Sequence, residues 1–468
     1  MKPHQKFYRL SLVLSLIMTS LLVISACSPQ PAASTEAPTG SQPVEETEQQ
    51  PAATEEKVLI RVMTNDAYAR SWQDNYVPEF QKTYPNIDVE IVGVPYADLL
   101  PKEMLELTSS PSNFDIFVTD DPWTPQLAQT GLVMDLKKDV AEYTAEDFDW
   151  EDIHSAPLAA GEWEGVQYGV PLRSNLLLMF YNKELFKAAG VPLPDENMTW
   201  DSFVEILPSL VRDSDGDGQV DTWAFSTYFI RDQLTPTIWQ TMLNSNGGQV
   251  LDEDFKPAFN TPAGVDALKL HMELLKYAPP GGEAYGYNET IEAFRQSKVA
   301  IMFNWGSVYS GVAVNPETTK LTPEIVGVTT MPAGSVGPSS HRGIWIGVIP
   351  KNTAHPKEAW TFLQWMSSKE GEKFTGSLGV FPARKSTLTA SELPLEWQGP
   401  LFKAILAGFN AIENGKMWRP RLPDSDAVQR ILALHHSRAL TGEVTAEQAL
   451  IDAESEIINT LTEKGYYE

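Results

Sequence analysis

Apolar and polar residues follow two different periods along the chain from Lys57 onward. The segments 58–63 and 87–92 are short and either largely apolar or alternating, which predicts β-strands. Between them, an aromatic residue recurs at every fourth position, which predicts a helix with one apolar face: Trp72, Tyr76, Phe80 and Tyr84. A third short strand is predicted over 115–118. Strands that alternate with helices predict a mostly parallel sheet with helices on both faces.

Polar and aromatic residues follow each of these predicted strands. They form the loops 65–68, 94–96 and 119–123, which carry amide, carboxylate and aromatic groups. Ligands of open α/β sheets bind outside the carboxyl ends of the strands. We therefore expect these three loops to contribute to a binding site.

The N-terminal segment has the pattern of a secretory signal. Lys2, Lys6 and Arg9 precede an apolar stretch over 10–24, which is short and lacks a flanking stop-transfer pattern. It ends in the sequence LVISAC at 22–27, which resembles the bacterial lipobox. We expect residues 1–26 to be a lipoprotein signal peptide, cleaved before Cys27, with a diacylglycerol on the Cys27 sulfur. The alternative is an ordinary signal peptide that contains a cysteine by chance.

The composition after Cys27 predicts a tether and then a large globular body. Cys27 is the only cysteine, so the chain cannot form an internal disulfide and needs a packed core. Residues 28–56 contain almost no large apolar side chain, and such a segment cannot bury enough surface to offset its ordering entropy. We therefore predict that residues 27–56 are the lipidated cysteine and a disordered tether. The roughly 410 residues beyond exceed the usual size of one core, which predicts two lobes.

The net charge and the aromatic content indicate which classes of partner the protein can bind. The chain has 62 acidic and 35 basic residues, a formal net charge of -27. Nucleic-acid binding requires a basic face, so we expect no nucleic-acid partner. The 13 Trp, 15 Tyr and 19 Phe residues will mostly pack in cores, but a Trp that faces solvent would suit stacking on a sugar.

Four segments resemble family 1 of the bacterial extracellular solute-binding proteins, the maltose-binding-like class. The first is FDIFVTDDPW at 114–123, followed by LAQTGL at 127–132. The second runs from YGVP at 168–171 through FYNKELF at 180–186 to TWDSF at 199–203. The others are AFRQSKVAIM at 293–302, and EAW at 358–360 with SKEG at 368–371 and FPAR at 381–384. In order and spacing they cover nearly all of the mature chain.

This resemblance implies an α/β fold of the type II periplasmic-binding-protein class, with two lobes joined by crossover strands and a ligand cleft between them. It places 57–172 and about 327–370 in lobe 1, and about 173–326 and 371–468 in lobe 2. It further implies a monomeric subunit of an ABC importer that captures a sugar or oligosaccharide outside the cytoplasm and passes it to the membrane permease. Its lipid would anchor it to the outer face of the membrane. Such a protein is not an enzyme and requires no cofactor.

Carried over position by position, the resemblance also implies a set of cleft residues. They combine aromatic rings with amide, carboxylate and guanidinium groups: Asn65, Asp66, Asp120, Trp123, Arg173, Asn175, Asn304, Trp305, Trp345, Trp418 and Arg419. The apolar face of a pyranose stacks on Trp, and its hydroxyls need planar groups with several donors or acceptors. Trp239 is a further aromatic candidate, but its spacing from Met242 on a helix favours the core.

Two other classes of function stay open. One is a binding protein for a different solute, such as a polyol phosphate, a peptide or a polyamine. The other is a secreted carbohydrate-active enzyme, which needs two carboxyl groups that face one bond, such as Asp66 and Asp120. The zinc-protease, nucleophile-elbow and phosphate-loop motifs are absent, and the seven histidines are scattered. We interpret His435 and His436 as surface or core residues of a helix.

An acidic loop at 213–221 follows the spacing of a calcium-binding loop at its first six positions. Its oxygen donors for a structural calcium ion are Asp213, Asp215, Asp217, Gln219 and Asp221. The bidentate Glu that usually stands at the twelfth position is missing, because Ala224 occupies it. The alternative is a polar turn before a strand at 222–225.

Overall fold

The structure is a computed structural model. It describes residues 57–389, 391, 393, 399–413 and 420–467. These residues belong to one compact unit, 55–468. The predicted signal peptide, Cys27 and the tether lie outside the described residues, as do Trp418 and Arg419. Within the described part of the chain, no helix has the length and apolar character needed to cross a membrane.

The strands follow one another in chain order as β1 Val58–Asn65, β2 Ile87–Val94, β3 Ile116–Asp120, β4 Glu162–Trp163, β5 Val166–Gln167, β6 Gly169–Arg173, β7 Leu177–Asn182, β8 Trp223–Ser226, β9 Val299–Trp305, β10 Val326–Thr329, β11 Ala333–Gly334, β12 Gly337–Pro338 and β13 Trp345–Val348. The α-helices are α1 Asp66–Ser71, α2 Val77–Thr83, α3 Tyr96–Leu107, α4 Thr124–Gln129, α5 Ser155–Leu158, α6 Lys183–Ala189, α7 Trp200–Leu210, α8 Thr235–Ser245, α9 Pro262–Leu274, α10 Tyr287–Arg295, α11 Pro356–Met366, α12 Lys369–Ser377, α13 Lys385–Leu388, α14 Pro400–Glu413, α15 Ser425–Leu440 and α16 Ala446–Glu463.

The first sheet has five strands in the order β2-β1-β3-β13-β6. β1 pairs in parallel with both β2 and β3, and β13 is antiparallel to its neighbours β3 and β6. The predicted mostly parallel sheet is therefore confirmed for this part of the chain. We call the part of the molecule built on this sheet lobe 1.

The second sheet has four strands in the order β10-β7-β9-β8. β7 is antiparallel to β10 and β9, whereas β8 is parallel to β9. β7 and β9 are buried along their whole length, as expected for strands that are covered on both faces. We call the part built on this sheet lobe 2.

The chain passes between the sheets more than once. It leaves the first sheet at the end of β6 and enters the second at β7, and it returns between β10 and β13. The division predicted at about 327 falls inside β10, which belongs to the second sheet. Phe374, beyond the division predicted at 371, still packs against the lobe 1 core.

The helix predicted from four aromatic residues is present, with a π-helical turn over Trp72–Tyr76 that joins α1 to α2. Trp72, Tyr76 and Phe80 are buried. Tyr84 stacks on Phe80 with ring centroids 4.8 Å apart. The aromatic face therefore packs in the lobe 1 core, as its spacing predicts.

Trp239 and the paired histidines lie in the interior of lobe 2. The Trp239 side chain is fully buried, and its Nε1–H donates to the carbonyl oxygen of Gly264 at 2.9 Å. The interpretation of Trp239 as a core residue is confirmed. His435 and His436 are also buried. Of the two alternatives, surface or core, they are therefore core residues.

Candidate ligand-binding site

A cavity of about 370 Å³ lies between the two lobes, and we call it the central cavity. Lobe 1 contributes loops at the carboxyl ends of its strands, and lobe 2 contributes loops and helix ends. The lining residues are Asn65, Tyr68, Tyr96, Asp120, Gly343 and Trp345 on the lobe 1 side, Asp232, Gln233, Leu234, Thr237, Tyr287, Trp305, Ser307 and Gln429 on the lobe 2 side, and Asn175 on a segment between the sheets.

The structure brings five of the predicted site residues together on this cavity: Asn65, Asp120, Asn175, Trp305 and Trp345. Asn65 ends β1 and Asp120 ends β3. Since β1 and β3 are parallel neighbours, their carboxyl ends lie at the same edge of the sheet. The predicted location of the site at this edge therefore agrees with the structure.

Aromatic rings form much of the lobe 1 wall. The Trp345 ring meets Tyr68 edge-on with centroids 5.2 Å apart, and it meets Tyr96 at 6.1 Å. Across the cavity, Trp305 packs on His341 with centroids 5.7 Å apart. Two Trp rings, one from each lobe, are thus held in fixed orientations beside the same space.

The Asp120 carboxylate is the main acidic group of the lobe 1 wall. Its Oδ2 accepts a hydrogen bond from the Tyr96 hydroxyl at 2.9 Å, and its Oδ1 accepts the Asp121 N–H at 3.0 Å. Asp120 is therefore held in one orientation by the protein, with its carboxylate at the lining of the central cavity.

Glu103 lies behind Asp120 and is fully buried. Burial is the largest cause that raises the pKa of Glu103, to about 8; the Asp120 charge acts in the same direction, and the hydrogen bond from Thr119 Oγ1 at 2.9 Å opposes both. Glu103 is therefore protonated at neutral pH. Asp120 consequently has no second negative charge directly behind it.

Asn175 joins the two lobes through its side-chain amide. Its Nδ2 donates to Ser307 Oγ at 2.9 Å, and its Oδ1 accepts the N–H groups of Ser307 and Leu176, both at 3.1 Å. These bonds tie the segment between β6 and β7 to the end of β9. Asn175 therefore shapes the floor of the cavity as well as lining it.

Arg173 and Asp66 were predicted as ligand contacts, but neither lines the central cavity. The guanidinium carbon of Arg173 lies 4.6 Å from the centroid of the Tyr68 ring, so Arg173 supports a lining residue from behind. Burial raises the pKa of Tyr68, and the Arg173 charge opposes that shift. Asp66 is exposed in the first turn of α1.

Asn304 and Trp123 also lie behind the cavity wall. Asn304 is fully buried, and its Oδ1 accepts the Tyr228 hydroxyl at 2.7 Å and the Trp305 N–H at 2.8 Å. It orients the end of β9 instead of facing the cavity. Trp123 packs on the outer side of Tyr96, with ring centroids 5.0 Å apart. Trp418 and Arg419 lie outside the described residues.

The model of one protein family matches residues 65–373, about two thirds of the chain, and its description is bacterial extracellular solute-binding protein. The chain belongs to this family. The match includes both strand ends that carry Asn65 and Asp120, and it extends through β13 into α12. The members of this family are binding proteins.

Individual relatives agree with the family match. A probable amino-acid ABC transporter periplasmic-binding protein of Sinorhizobium fredii is 25% identical over 383 residues, which cover 81% of this chain and 84% of that protein. An ABC transporter solute-binding protein of Agrobacterium radiobacter, solved in complex with ribitol, is 26% identical with a TM-score of 0.73 and covers 86% of this chain and 98% of that one. Maltose-bound MalE3 of T. maritima has a TM-score of 0.72 at 22% identity, over 86% of this chain and 100% of that one. The predicted two-lobe periplasmic-binding-protein fold is thereby confirmed.

Sequence reasoning missed several lining residues of this solute-binding protein. Tyr68 and Tyr96 lie in the loops that the strand pattern marked as candidates, so a signal for them was present. Asp232, Tyr287 and Gln429 stand before α8, at the start of α10 and inside α15. Asp232 lies in the loop that follows β8, so the rule for strand ends could have marked it, whereas Tyr287 and Gln429 lie on helices that no local pattern marks as parts of a site.

The acidic loop brings three of its carboxylates together, with oxygens within 4.8 Å of one another: Asp213, Asp215 and Asp221. Asp213 also accepts the N–H groups of Gly216 and Gly218 at 2.7 and 2.8 Å. Asp217 is not part of this cluster, and its Oδ1 accepts the Gln219 N–H at 2.7 Å. Three exposed carboxylates suit a hard cation such as calcium, so the residues present fit the predicted ion.

Proposed function

We propose that this solute-binding protein captures a neutral polyhydroxylated solute, a sugar or a polyol, in the central cavity and delivers it to the permease of an ABC importer. The observation that carries the proposal is the position of Trp305 and Trp345. They belong to different lobes and line one cavity together with Asp120 and Asn65. The Agrobacterium radiobacter relative, solved with ribitol, supports the same class of ligand.

The chemistry of the cavity matches such a ligand. The C–H faces of a sugar or polyol pack on Trp and Tyr rings, whose polar edges remain available for hydrogen bonds. Its hydroxyl groups both donate and accept, so they suit a carboxylate and an amide such as Asp120 and Asn65. Closure of the two lobes over the ligand removes water, which strengthens these hydrogen bonds.

The charged residues that line the central cavity favour some of the alternative solutes over others. Among the described residues that line it there are two carboxylates, Asp120 and Asp232, and no Lys or Arg. A polyol phosphate needs nearby cations. Arg173, which contacts the lining residue Tyr68, is outweighed by the two lining carboxylates, so the charge balance disfavours this ligand. A polyamine would be attracted by both carboxylates and by the aromatic faces. It is therefore the rival that the test must exclude.

We also propose that the bound solute is not chemically changed. Hydrolysis of a glycoside needs two carboxyl groups that flank one bond. Asp66, the partner considered for Asp120, is exposed and does not line the central cavity. Recovery of an intact methyl glycoside of the bound sugar after long incubation supports binding alone, whereas release of the free sugar would establish an enzyme.

A thermal-shift screen followed by titration calorimetry tests the proposed ligand class. The probes are pentitols, hexitols, aldohexoses, disaccharides and spermidine. A ligand that binds only the folded state stabilises it by about 2.7 kcal/mol at a hundredfold excess over Kd. We expect a neutral probe to raise the melting temperature, with an affinity that salt does not change. A shift with spermidine alone, weakened by salt, would establish a polyamine-binding protein instead.

For the N-terminus we propose a lipid anchor on Cys27. The support is the LVISAC sequence at 22–27 and the polar segment that follows it. Cys27→Ser removes the sulfur that accepts the lipid, so the variant should leave the membrane fraction or remain unprocessed. Fractionation and intact mass measure both properties. Cleavage as in the wild type, with unchanged membrane association, would disprove the anchor.

For the acidic loop we propose a structural calcium ion, held by Asp213, Asp215 and Asp221. If calcium binds there, a chelator should lower the melting temperature of the wild type, because a ligand that binds only the folded state stabilises it. Asp215→Ala should abolish that sensitivity. Asp254→Ala, at an exposed acidic position in another turn, is the control and should leave it unchanged. A wild-type melting curve that does not respond to chelator would leave the polar-turn alternative.

A further inference from the structure

A second cavity of about 810 Å³ lies beside the central cavity, and we call it the outer cavity. Tyr96 lines both cavities, and so do Asp232 and Gln233 from lobe 2. The rest of the outer cavity is formed by α3 and α4 of lobe 1 and by α15 and its preceding loop of lobe 2. The two cavities are therefore neighbours, and Tyr96 is the aromatic side chain that they share.

The Tyr96 ring is held in place from both sides. Its centroid lies 5.0 Å from that of Trp123, which lines the outer cavity, and 6.1 Å from that of Trp345, which lines the central cavity. Its hydroxyl donates to Asp120 at 2.9 Å. The ring cannot swing aside without the loss of this hydrogen bond and of both aromatic contacts.

A third cavity adjoins the central cavity on lobe 2. Tyr287 and Ser307 line the central cavity and also this third cavity of about 720 Å³. The space between the two tyrosines, about 370 Å³, lies near the lower end of the range of about 300–1,000 Å³ for small-molecule sites. It suits one sugar ring or a linear polyol better than a chain of sugar rings.

We propose that Tyr96 is a specificity-determining residue, which limits the ligand to one sugar unit or a short polyol by closing the central cavity toward the outer one. The inference rests on the proposed function. The outer cavity offers the Trp123 ring and the polar side chains of Gln126 and Arg430. Removal of the Tyr96 side chain therefore joins the central cavity to a surface that can bind a second sugar unit.

The test compares affinities for short and long probes in the wild type, Tyr96→Ala and Tyr96→Phe. The short probes are pentitols, hexitols and aldohexoses. The long probes are the di- and trisaccharides that carry the tightest-binding short unit at one end. We expect the wild type to prefer the short probe, because a steric clash excludes the longer ones. Tyr96→Ala should shift the ratio of affinities at least roughly tenfold toward the long probes.

Tyr96→Phe is the matched control, since it keeps the ring and loses only the hydroxyl that contacts Asp120. Its preference for short probes should remain, although each affinity falls. If Tyr96→Ala does not fold, as judged by its melting curve, Tyr96→Leu removes the ring while retaining more of the packing and has the same expected result.

Three other outcomes would contradict either the role of Tyr96 or the proposed function. A wild type that binds the long probes as tightly as the short one would overturn the role of Tyr96 and leave the proposed function intact. The same conclusion follows if Tyr96→Ala binds the short probe and still excludes the long ones. A wild type that binds no sugar or polyol at all contradicts the proposed function itself, and the earlier screen detects that result separately.

Discussion

Replacement of Trp345 by alanine is expected to weaken binding of the sugar or polyol roughly tenfold or more. A stacking Trp contributes on the order of 1 kcal/mol or more, and ~1.4 kcal/mol corresponds to a factor of ten. Trp345 also holds Tyr68 and Tyr96 in position, so its loss loosens two further lining residues. Trp305→Ala, on the opposite lobe, should weaken binding in the same direction. Titration calorimetry on folded variants measures both effects.

The Trp345 side chain is 9% exposed and Trp305 is 8% exposed, so both substitutions also lower stability. The matched control is Trp239→Ala, because Trp239 is fully buried in lobe 2 and does not line the central cavity. It should lose about 3–5 kcal/mol of stability and keep its affinity. If both cavity variants fold and retain full affinity, the aromatic wall does not bind the ligand.

The second large effect concerns acid stability and His271. His271 is fully buried in α9, and its Nε2 lies 3.1 Å from the Tyr228 carbonyl oxygen, which can only accept, so Nε2 carries the hydrogen. Burial, the larger cause, and the nearby His436 together lower the pKa of His271 to about 3. The folded protein therefore keeps this ring neutral well below the ordinary pKa of 6.5.

The sign of the pH effect follows from proton uptake. Below pH 6.5 the unfolded chain binds a proton at His271 and the folded chain does not, so stability falls as the pH falls toward the folded pKa. His271→Gln, which keeps a neutral donor but loses packing, should be less stable than the wild type at pH 7. Between pH 7 and pH 5 that deficit should shrink by about 2 kcal/mol, because the variant has no proton to bind. Denaturant unfolding at several pH values measures it.

Leu274→Ala provides the control for this experiment. Leu274 is fully buried in the same helix and does not titrate. Its deficit of about 2–5 kcal/mol should be the same at both pH values. A His271→Gln deficit that is equally independent of pH would show that His271 is not the group that takes up the proton on unfolding.

Much of lobe 1 could be predicted from local sequence pattern. Strand period and aromatic spacing indicated β1, β2 and the helix between them, and the rule for open sheets indicated their carboxyl ends as the site. This reasoning reached Asn65 and Asp120, because strand ends are local features and parallel strands bring those ends to one edge. Trp345 came from the family resemblance, since it begins β13, which is antiparallel to β3. The pairing of the second sheet could not be predicted in this way. Helices also separate β7, β8 and β9, yet β7 is antiparallel to β9 and β8 is parallel to it.

The sequence by itself determined the fold class, the family and the edge of the sheet that carries the candidate site, since these follow from periodicity and from motifs in order. Only the tertiary structure decided which side chains face the cavity. At the end of β9, Asn304 and Trp305 are both plausible contacts, but successive strand residues point to opposite faces, and packing turned Trp305 to the cavity and Asn304 to Tyr228. Likewise Trp123 lies behind Tyr96. The two rings come from different loops, and long-range packing determines which of them lines the central cavity.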